Sequence, residues 1–190
     1  MVEPILLSIA KAAILQFFDT LPPFDREGIL QEYPHVAEKK ASFVTLNSNG
    51  NLRGCIGSVI ARNALIDDIY HNAQSAAFND PRFPPLQKTE LTTIDIEVSV
   101  LSQPKKCSYT DFKDLAQKIK PHVHGLILRH GLNQGTFLPQ VWDKVSTPKE
   151  FLEHLSYKAG ASPSIYSQNP EIYTYEVKVL SEKFDAILPL

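Results

Sequence analysis

An asparagine–glycine pair between two apolar, β-rich segments is the feature that most constrains how this chain folds. Asn49-Gly50 separates residues 42–46 (SFVTL) from residues 52–60. Asn-Gly favours a tight two-residue hairpin turn, because both residues tolerate a positive φ. The pattern predicts two antiparallel strands. A two-residue turn would place Cys55 opposite Val44, which favours burial of the cysteine.

The rest of the chain mixes helical and strand patterns without regular βαβ alternation. Helices are predicted at residues 5–18 (ended by Leu21-Pro22-Pro23), 63–78 (capped by Asn63), 111–119 and 149–158, and strands at 93–101, 123–128 and 173–179. We therefore expect an α+β fold, with a mainly antiparallel sheet flanked by helices and a smaller second lobe.

Composition narrows the function classes. The chain has 190 residues, a size expected for one domain, and its net charge of −2 argues against a protein that grips nucleic acid. Its two cysteines, Cys55 and Cys107, argue against a disulfide scaffold or a zinc knuckle and fit a reducing cytosol. The first apolar stretch is too short to span a bilayer and has no signal-peptide features, so we expect a soluble cytoplasmic protein without membrane association.

Residues 52–57 (LRGCIG) hold the first candidate site. Arg53 and Cys55 are two residues apart, so on a regular strand they share a face, and a guanidinium beside a thiol favours the reactive thiolate. Gly54 and Gly57 would let a backbone or a ligand approach closely. Against a nucleophilic role, a buried free cysteine is common and usually inert.

The proline-rich loop at residues 79–85 (NDPRFPP) is the second candidate site. Pro81 and Pro84 stiffen the loop, so Asp80 and Arg82 are held in place at low entropic cost. The pair could serve a functional site or lock the loop to the body of the protein, and the sequence favours neither interpretation.

Two further polar patterns are weaker. His122 and His124 alternate as metal ligands on a strand would, but no other ligand follows at a recognisable spacing, so no metal site is predicted. Asp95 and Glu97 share one face of the 93–101 strand. Paired acids can act in acid–base catalysis. We expect Asp95 to be solvated, whereas Glu97 could instead meet Arg53 or Arg82 across the sheet.

Taken in order, seven segments resemble one family. They are SFVTL (42–46), LRGCIG (52–57), NAQSAAFNDPRFPP (72–85), IEVSVL (96–101), HGLIL (124–128), FLPQV (137–141) and FLEHLSYKAG (151–160). They are similar to the AMMECR domain, found in the "AMME chromosomal region" proteins, whose microbial members are called protein A of the AmmeMemoRadiSam system. The resemblance covers about residues 5–183, and it predicts that residues 1–190 form a single AMMECR-type domain with two unequal lobes.

The resemblance implies a cleft between the lobes and a site around LRGCIG. It carries this expectation to Arg53, Gly54, Cys55 and Gly57, and through the other motifs to Asp80, Arg82, His124, Gln140 and Lys158. His122 lies outside the family pattern. The family also implies a modification pathway shared with Memo-like and radical S-adenosylmethionine proteins, which are the expected partners.

Two functions follow from these observations. In the first, the chain is an enzyme: Cys55 is a nucleophile or thiol acid–base, His124 shuttles protons, Arg53 clamps an anion, and the substrate is a small anion or a modified side chain. In the second, it is a non-catalytic binding or scaffold module, and LRGCIG is a packing motif. Nucleic-acid binding is a distant third, and the sequence predicts no particular cofactor.

Overall fold

The computed structural model describes residues 4–18 and 25–190, and it has the predicted α+β class. The chain divides into two compact units. One unit comprises the described residues up to Leu101 together with Lys178–Leu190, and the other comprises Ser102–Val177. Each unit has a four-stranded sheet, so the structure contains two sheets. The Leu21-Pro22-Pro23 end predicted for the first helix lies outside the described residues.

The first unit packs helices on a sheet with the strand order β2-β1-β3-β8. Its elements are α1 (Ile5–Phe17), α2 (Arg26–Glu32), β1 (Ser42–Ser48), β2 (Asn51–Gly57), α3 (Leu65–Phe78), β3 (Ile94–Leu101) and β8 (Val177–Lys183). Alternate residues of β1 and β3, among them Val44 and Val98, are completely buried. They pack with Ile9 of α1 and Ile69 of α3 in one apolar core. The apolar residues that repeat every second position on the strands pack there against those that repeat every 3.6 positions on the helices.

The predicted Asn49-Gly50 turn is confirmed, since both residues have a positive φ, 51° and 79°. The predicted register beyond the turn is wrong. A β-bulge lies between Leu46 and Asn47, so Arg53 becomes an extra residue on β2 without a partner of its own on β1.

The bulge changes the face on which Cys55 lies. Cys55 is opposite Thr45, and not Val44, because the register has moved by one residue. Val44 faces the core, whereas Thr45 and Cys55 are only partly buried. A one-residue shift exchanges the two faces of a strand, so the expected burial of Cys55 among core residues is wrong.

Helix α3 begins at Leu65, one residue later than a cap at Asn63 predicts. Its N-cap is Ala64, which has no capping side chain, and the predicted cap Asn63 lies outside the helix. Backbone contacts position this end: the Leu65 N–H donates to the carbonyl oxygen of Glu38 at 2.9 Å. The negative side chains of Asp67 and Asp68, in the first turn, interact favourably with the positive N-terminal end of the helix dipole.

The second unit packs two helices on a sheet with the order β4-β7-β5-β6. Its elements are β4 (Lys105–Cys107), α4 (Phe112–Lys118), β5 (Gly125–His130), β6 (Asn133–Phe137), α5 (Pro148–Lys158) and β7 (Glu171–Tyr175). Leu126 and Leu128 of β5 pack with Phe151 and Leu155 of α5 in a separate apolar core. Both units also contain short 3₁₀ helices. Those of the first unit are Pro34–Ala37, Lys88–Thr93 and Phe184–Ala186, and those of the second are Pro139–Lys144 and Pro163–Gln168.

The late strand predicted at residues 173–179 is two strands in different sheets. β7 ends at Tyr175 and β8 begins at Val177. Between them, Glu176 donates its N–H to the Ser102 hydroxyl at 3.0 Å and accepts the Ser102 N–H at 2.9 Å. The alternation of apolar and polar residues continues through this point, so the sequence pattern conceals the change of sheet.

Within the described residues, every helix is too short or too polar to span a lipid bilayer.

Candidate functional site

The thiol of Cys55 lies beside the hydroxyl of Thr45. The Thr45 Oγ1 donates to the Cys55 Sγ at 3.2 Å. The two residues are directly opposite in the β1–β2 register. Cys55 directs its own N–H and carbonyl to the loop after α3, away from β1. Residues whose backbone groups point away from each other in this way form the closer of the two antiparallel pair types, which accounts for the side-chain contact.

Asp80 and Arg82 hold the outer edge of β2 at Cys55. The Cys55 N–H donates to Asp80 Oδ2 at 2.9 Å, and Arg82 Nη2 donates to the Cys55 carbonyl oxygen at 3.1 Å. Because β2 is an edge strand, these side chains satisfy backbone groups that another strand would otherwise pair with. The Asp80–Arg82 pair therefore locks its loop to the LRGCIG segment.

The Asp80 carboxylate is itself bound by Arg82. Arg82 Nε donates to Oδ1 at 2.9 Å and Nη2 to Oδ2 at 2.6 Å. Hydrogen bonds from Arg82, followed by the N–H of Cys55, lower the pKa of Asp80 far below its usual range despite burial. The pKa of Arg82 is raised, first by Asp80 and to a smaller extent by the Cys55 thiol. Arg82 is thus the guanidinium that contacts Cys55, through the backbone carbonyl oxygen.

Arg53 is engaged elsewhere. Its Nε and Nη2 donate to the two carboxylate oxygens of Glu90 at 2.8 and 3.1 Å, and 12% of its side chain is exposed. Glu90 also accepts the N–H of Gln87 at 2.8 Å, in a capping box of the Lys88–Thr93 helix. Arg53 thereby ties the bulge to that helix, a placement typical of a structural ion pair. Arg53 and Arg82 are paired with Glu90 and Asp80, so neither forms the contact with Glu97 that the sequence left open.

Both glycines of LRGCIG lie at close approaches. A Cβ on Gly54 would collide with the carbonyl oxygen of Ala76 in α3 and would lie 3.1 Å from its carbonyl carbon. A Cβ on Gly57 would collide with the ring of Phe43 and the carbonyl oxygen of Ser42. The glycines therefore allow β2 to pack directly on its neighbours.

Glu97 shares a cross-strand row with Cys55. It lies opposite Thr45 on the other side of β1, so the order across the sheet is Cys55, Thr45, Glu97. Glu97 is partly buried, and burial raises the pKa of its carboxyl, an effect that the Ser99 hydroxyl partly offsets. Asp95 is also partly buried, opposite Asn47. A thiol, a hydroxyl and a carboxyl with a raised pKa thus lie across three adjacent strands.

The remaining predicted site residues belong to the second unit. His124 is partly buried, its Nδ1 accepts the Lys120 N–H at 3.2 Å, and desolvation lowers its pKa. Because Nδ1 is an acceptor, the neutral imidazole carries its proton on Nε2 and presents a donor there. Gln140 is exposed, and Lys158 Nζ lies 5.0 Å from the centre of the Phe137 ring.

His122 is exposed, with a φ of 60°, and its Nδ1 lies 3.4 Å from Asp143 Oδ1. No group of three or more His, Cys, Asp or Glu side chains in residues 4–18 and 25–190 is arranged to bind a metal.

Sequence patterns do not single out two residues of this site, Thr45 and Glu90. Thr45 stands in the sequence only as part of a β-rich segment. A capping-box pattern at Gln87 and Glu90 could have marked Glu90 as ordered, since the glutamate lies three residues after the cap. No local signal marks Thr45, because its contact with Cys55 depends on the bulge.

The AMMECR1 family model matches residues 7–180, a span that includes most of both units. The chain belongs to the AMMECR1 family. Protein Mbar_A1807 of Methanosarcina barkeri is 40% identical over 151 residues, covering 79% of this chain and 74% of the relative. Protein MK0488 of Methanopyrus kandleri is 37% identical and covers 94% of this chain and 87% of its own. The crystal structure of the uncharacterised protein PH0010 from Pyrococcus horikoshii is similar, with a TM-score of 0.78, 30% identity and coverage of 94% and 90%.

Proposed function

We propose that this AMMECR1-family chain is an enzyme whose reacting group is the thiol of Cys55. The observation that carries the proposal is the β-bulge, which moves Cys55 off the core face and places its sulfur 3.2 Å from the Thr45 hydroxyl. A hydroxyl donor interacts favourably with a negatively charged sulfur, and a structural core cysteine needs no such donor.

Glu97 is the proton donor in this proposal. Adjacent strands lie about 4.8 Å apart, so a substrate of about 10 Å lying over Thr45 reaches from Cys55 to Glu97. The Cys55 thiol first releases its proton to water, and the thiolate then forms a bond to an electrophilic carbon. The bond to the leaving group breaks with its electron pair on that group, which takes the proton of Glu97. A carboxyl with a raised pKa suits this general-acid role.

The other LRGCIG and loop residues position Cys55. Asp80 and Arg82 bind its backbone N–H and carbonyl, and Gly54 seats β2 on α3. Arg53, paired with Glu90, orients the bulge, a role that replaces the expected anion clamp. We therefore assign these residues to positioning and reserve the chemistry for Cys55 and Glu97.

The chain contains its own control for this proposal. The other cysteine, Cys107, is also free and partly buried, and burial raises the pKa of its thiol. We expect iodoacetamide to alkylate Cys55 at least about tenfold faster than Cys107 at neutral pH, measured site by site by mass spectrometry on the native chain. Alkylation of Cys55 slower than that of a free cysteine peptide would refute a nucleophilic role.

A second function has its own observation. The packing of Gly54 on Ala76 and the locking of Cys55 by Asp80 and Arg82 also suit a scaffold module with a rigid edge. Replacing the chromosomal gene with a Cys55→Ala version distinguishes the two functions. A scaffold retains full cellular function with this substitution, whereas the enzyme loses it while keeping the same circular dichroism spectrum.

The proposal also includes the compartment in which the protein acts and the proteins with which it interacts. We place the protein in the reducing cytoplasm, which its free Cys55 and Cys107 support. Memo-like and radical S-adenosylmethionine proteins are the proposed partners, on the basis of the family resemblance. Co-purification of either protein with the tagged chain from its own cells would support this, and recovery of neither would contradict it.

A further inference from the structure

Both arginines near Cys55 are already neutralised by carboxylates. Arg82 is paired with Asp80 through two of its nitrogens, and Arg53 is paired with Glu90 in the same way. Neither pair adds a net charge to the surroundings of the thiol. An arginine that recognises an anionic substrate would need a fork of donors that is not bound to a carboxylate.

Glu97 leaves an additional negative charge once it is ionised. Burial and the Ser99 hydroxyl are the influences on its pKa, and no ion pair within the described ranges of the chain includes it. Asp95, two residues earlier on the same face of β3, has the same sign. With both arginines paired to carboxylates, neither offers a free fork of donors to an anion, and Asp95 and an ionised Glu97 add negative charge on the face of β3 in line with Cys55.

We propose that the substrate presents to Cys55 an electrophilic group with no negative charge, in a neutral or cationic molecule. This inference rests on the proposed use of Cys55 as the reacting thiol. The sequence predicted a small anionic substrate bound by Arg53. In the structure Arg53 binds the carboxylate of Glu90 instead, so we no longer expect an anionic substrate. Suitable electrophiles include uncharged acyl or alkyl groups, and acyl phosphates and free carboxylates are unsuitable.

Two thiol reagents of opposite charge test the inference. Trimethylammonioethyl methanethiosulfonate and sulfonatoethyl methanethiosulfonate each form a disulfide with a thiolate and release methanesulfinate, so they differ mainly in charge. Their rate constants at Cys55 are measured by mass spectrometry in a Cys107→Ser chain at low salt. The ratio is then divided by the ratio for an uncharged cysteine peptide.

We expect a normalised preference of about tenfold for the cationic reagent, the size that one unneutralised charge about 10 Å away produces between reagents of opposite sign. Labelling is compared at a pH above the raised pKa of Glu97, where its carboxyl is ionised and no longer the proton donor, and there Glu97→Gln is expected to reduce the preference at least about threefold. Glu32→Gln, an exposed carboxyl on α2 outside the sheet, is the matched control and is expected to leave it unchanged.

The outcomes separate the inference from the proposed function. Reaction at Cys55 with equal or faster labelling by the anionic reagent overturns the inference and leaves the thiol function standing. A preference that Glu97→Gln does not reduce also overturns it, because its charge then comes from elsewhere. If neither reagent labels Cys55 in the folded chain, while both label it in urea, the proposed function fails and the inference fails with it.

Discussion

Replacing Gly54 with alanine tests the contact that seats the LRGCIG segment on α3. The new Cβ would lie 3.1 Å from the carbonyl carbon of Ala76, 3.7 Å from its Cα, and closest of all to its oxygen. Carbon atoms in contact prefer a separation of about 3.5–4.0 Å, so the strand and the helix must move apart by roughly 1 Å. All three obstructing atoms belong to the backbone of a helix, and no flexible side chain can move to make room.

The expected cost follows from this collision. Overpacking of this kind costs about 1–3 kcal/mol, and the entropy that alanine removes from the unfolded chain offsets about 0.4–1 kcal/mol. We expect Gly54→Ala to lower the free energy of unfolding by about 1.3 kcal/mol, which corresponds to a decrease in Tm of roughly 3–5 °C for a chain of this length. The movement of β2 also separates Cys55 from Asp80, so labelling of Cys55 is expected to change as well.

Urea denaturation followed by far-ultraviolet circular dichroism measures this loss, because α1 and α3 of the first unit dominate its helical signal. Gly50→Ala is the control in the same hairpin. Gly50 has a φ of 79°, and a Cβ added there would meet no atom within 4 Å outside its chain neighbours, so this variant reports backbone strain without a collision. If the free energy of unfolding of Gly54→Ala is within about 0.5 kcal/mol of the parent value, the reasoning is refuted. Such a result would mean that β2 and α3 can accommodate a Cβ at this contact without a significant cost.

Three further predictions concern charge and burial. Asp80→Asn is expected to cost about 2–3 kcal/mol at neutral pH. Because the folded pKa of Asp80 is lowered, its stabilisation exists above the unfolded value near 3.9 and is lost as the pH falls, so the variant loses this acid dependence in urea titrations while Asp95→Asn keeps it. Lys11→Met removes hydrogen bonds of 2.9 and 2.8 Å to the carbonyls of Phe184 and Ile187; we expect faster hydrogen exchange near the C-terminus, and unchanged exchange would contradict the contact. Burial raises the pKa of Tyr109 to about 12, so its stabilisation is present below pH 10 and is lost as the pH rises from about 10 to 12; Tyr109→Phe is expected to flatten that alkaline decline, measured by urea titration at each pH.

The candidate site shows where sequence-based prediction succeeds and where it stops. LRGCIG and NDPRFPP are both predicted as sites from the sequence, and the structure joins them through Cys55, Asp80 and Arg82. The sequence did not reveal which arginine neighbours the thiol. Arg53 is closer along the chain, but the bulge and Glu90 direct it elsewhere, whereas Arg82 arrives from a loop that the chain reaches only after α3.

The sequence by itself determined the features that depend on neighbours along the chain. Asn49-Gly50 specified the turn because few other residue pairs adopt two positive φ values, and apolar periodicity specified the helices and the α+β class. The family also follows from motifs within the sequence.

Only the tertiary structure decided the register that gives Cys55 its surroundings. A bulge inserts one residue without altering the apolar pattern before it, so the face of every later residue on β2 depends on how that strand packs. Gly54 against Ala76, and Asp80 against the Cys55 N–H, are contacts between segments more than 20 residues apart. Local preferences cannot encode such contacts, because their free energy is gained only when distant segments meet.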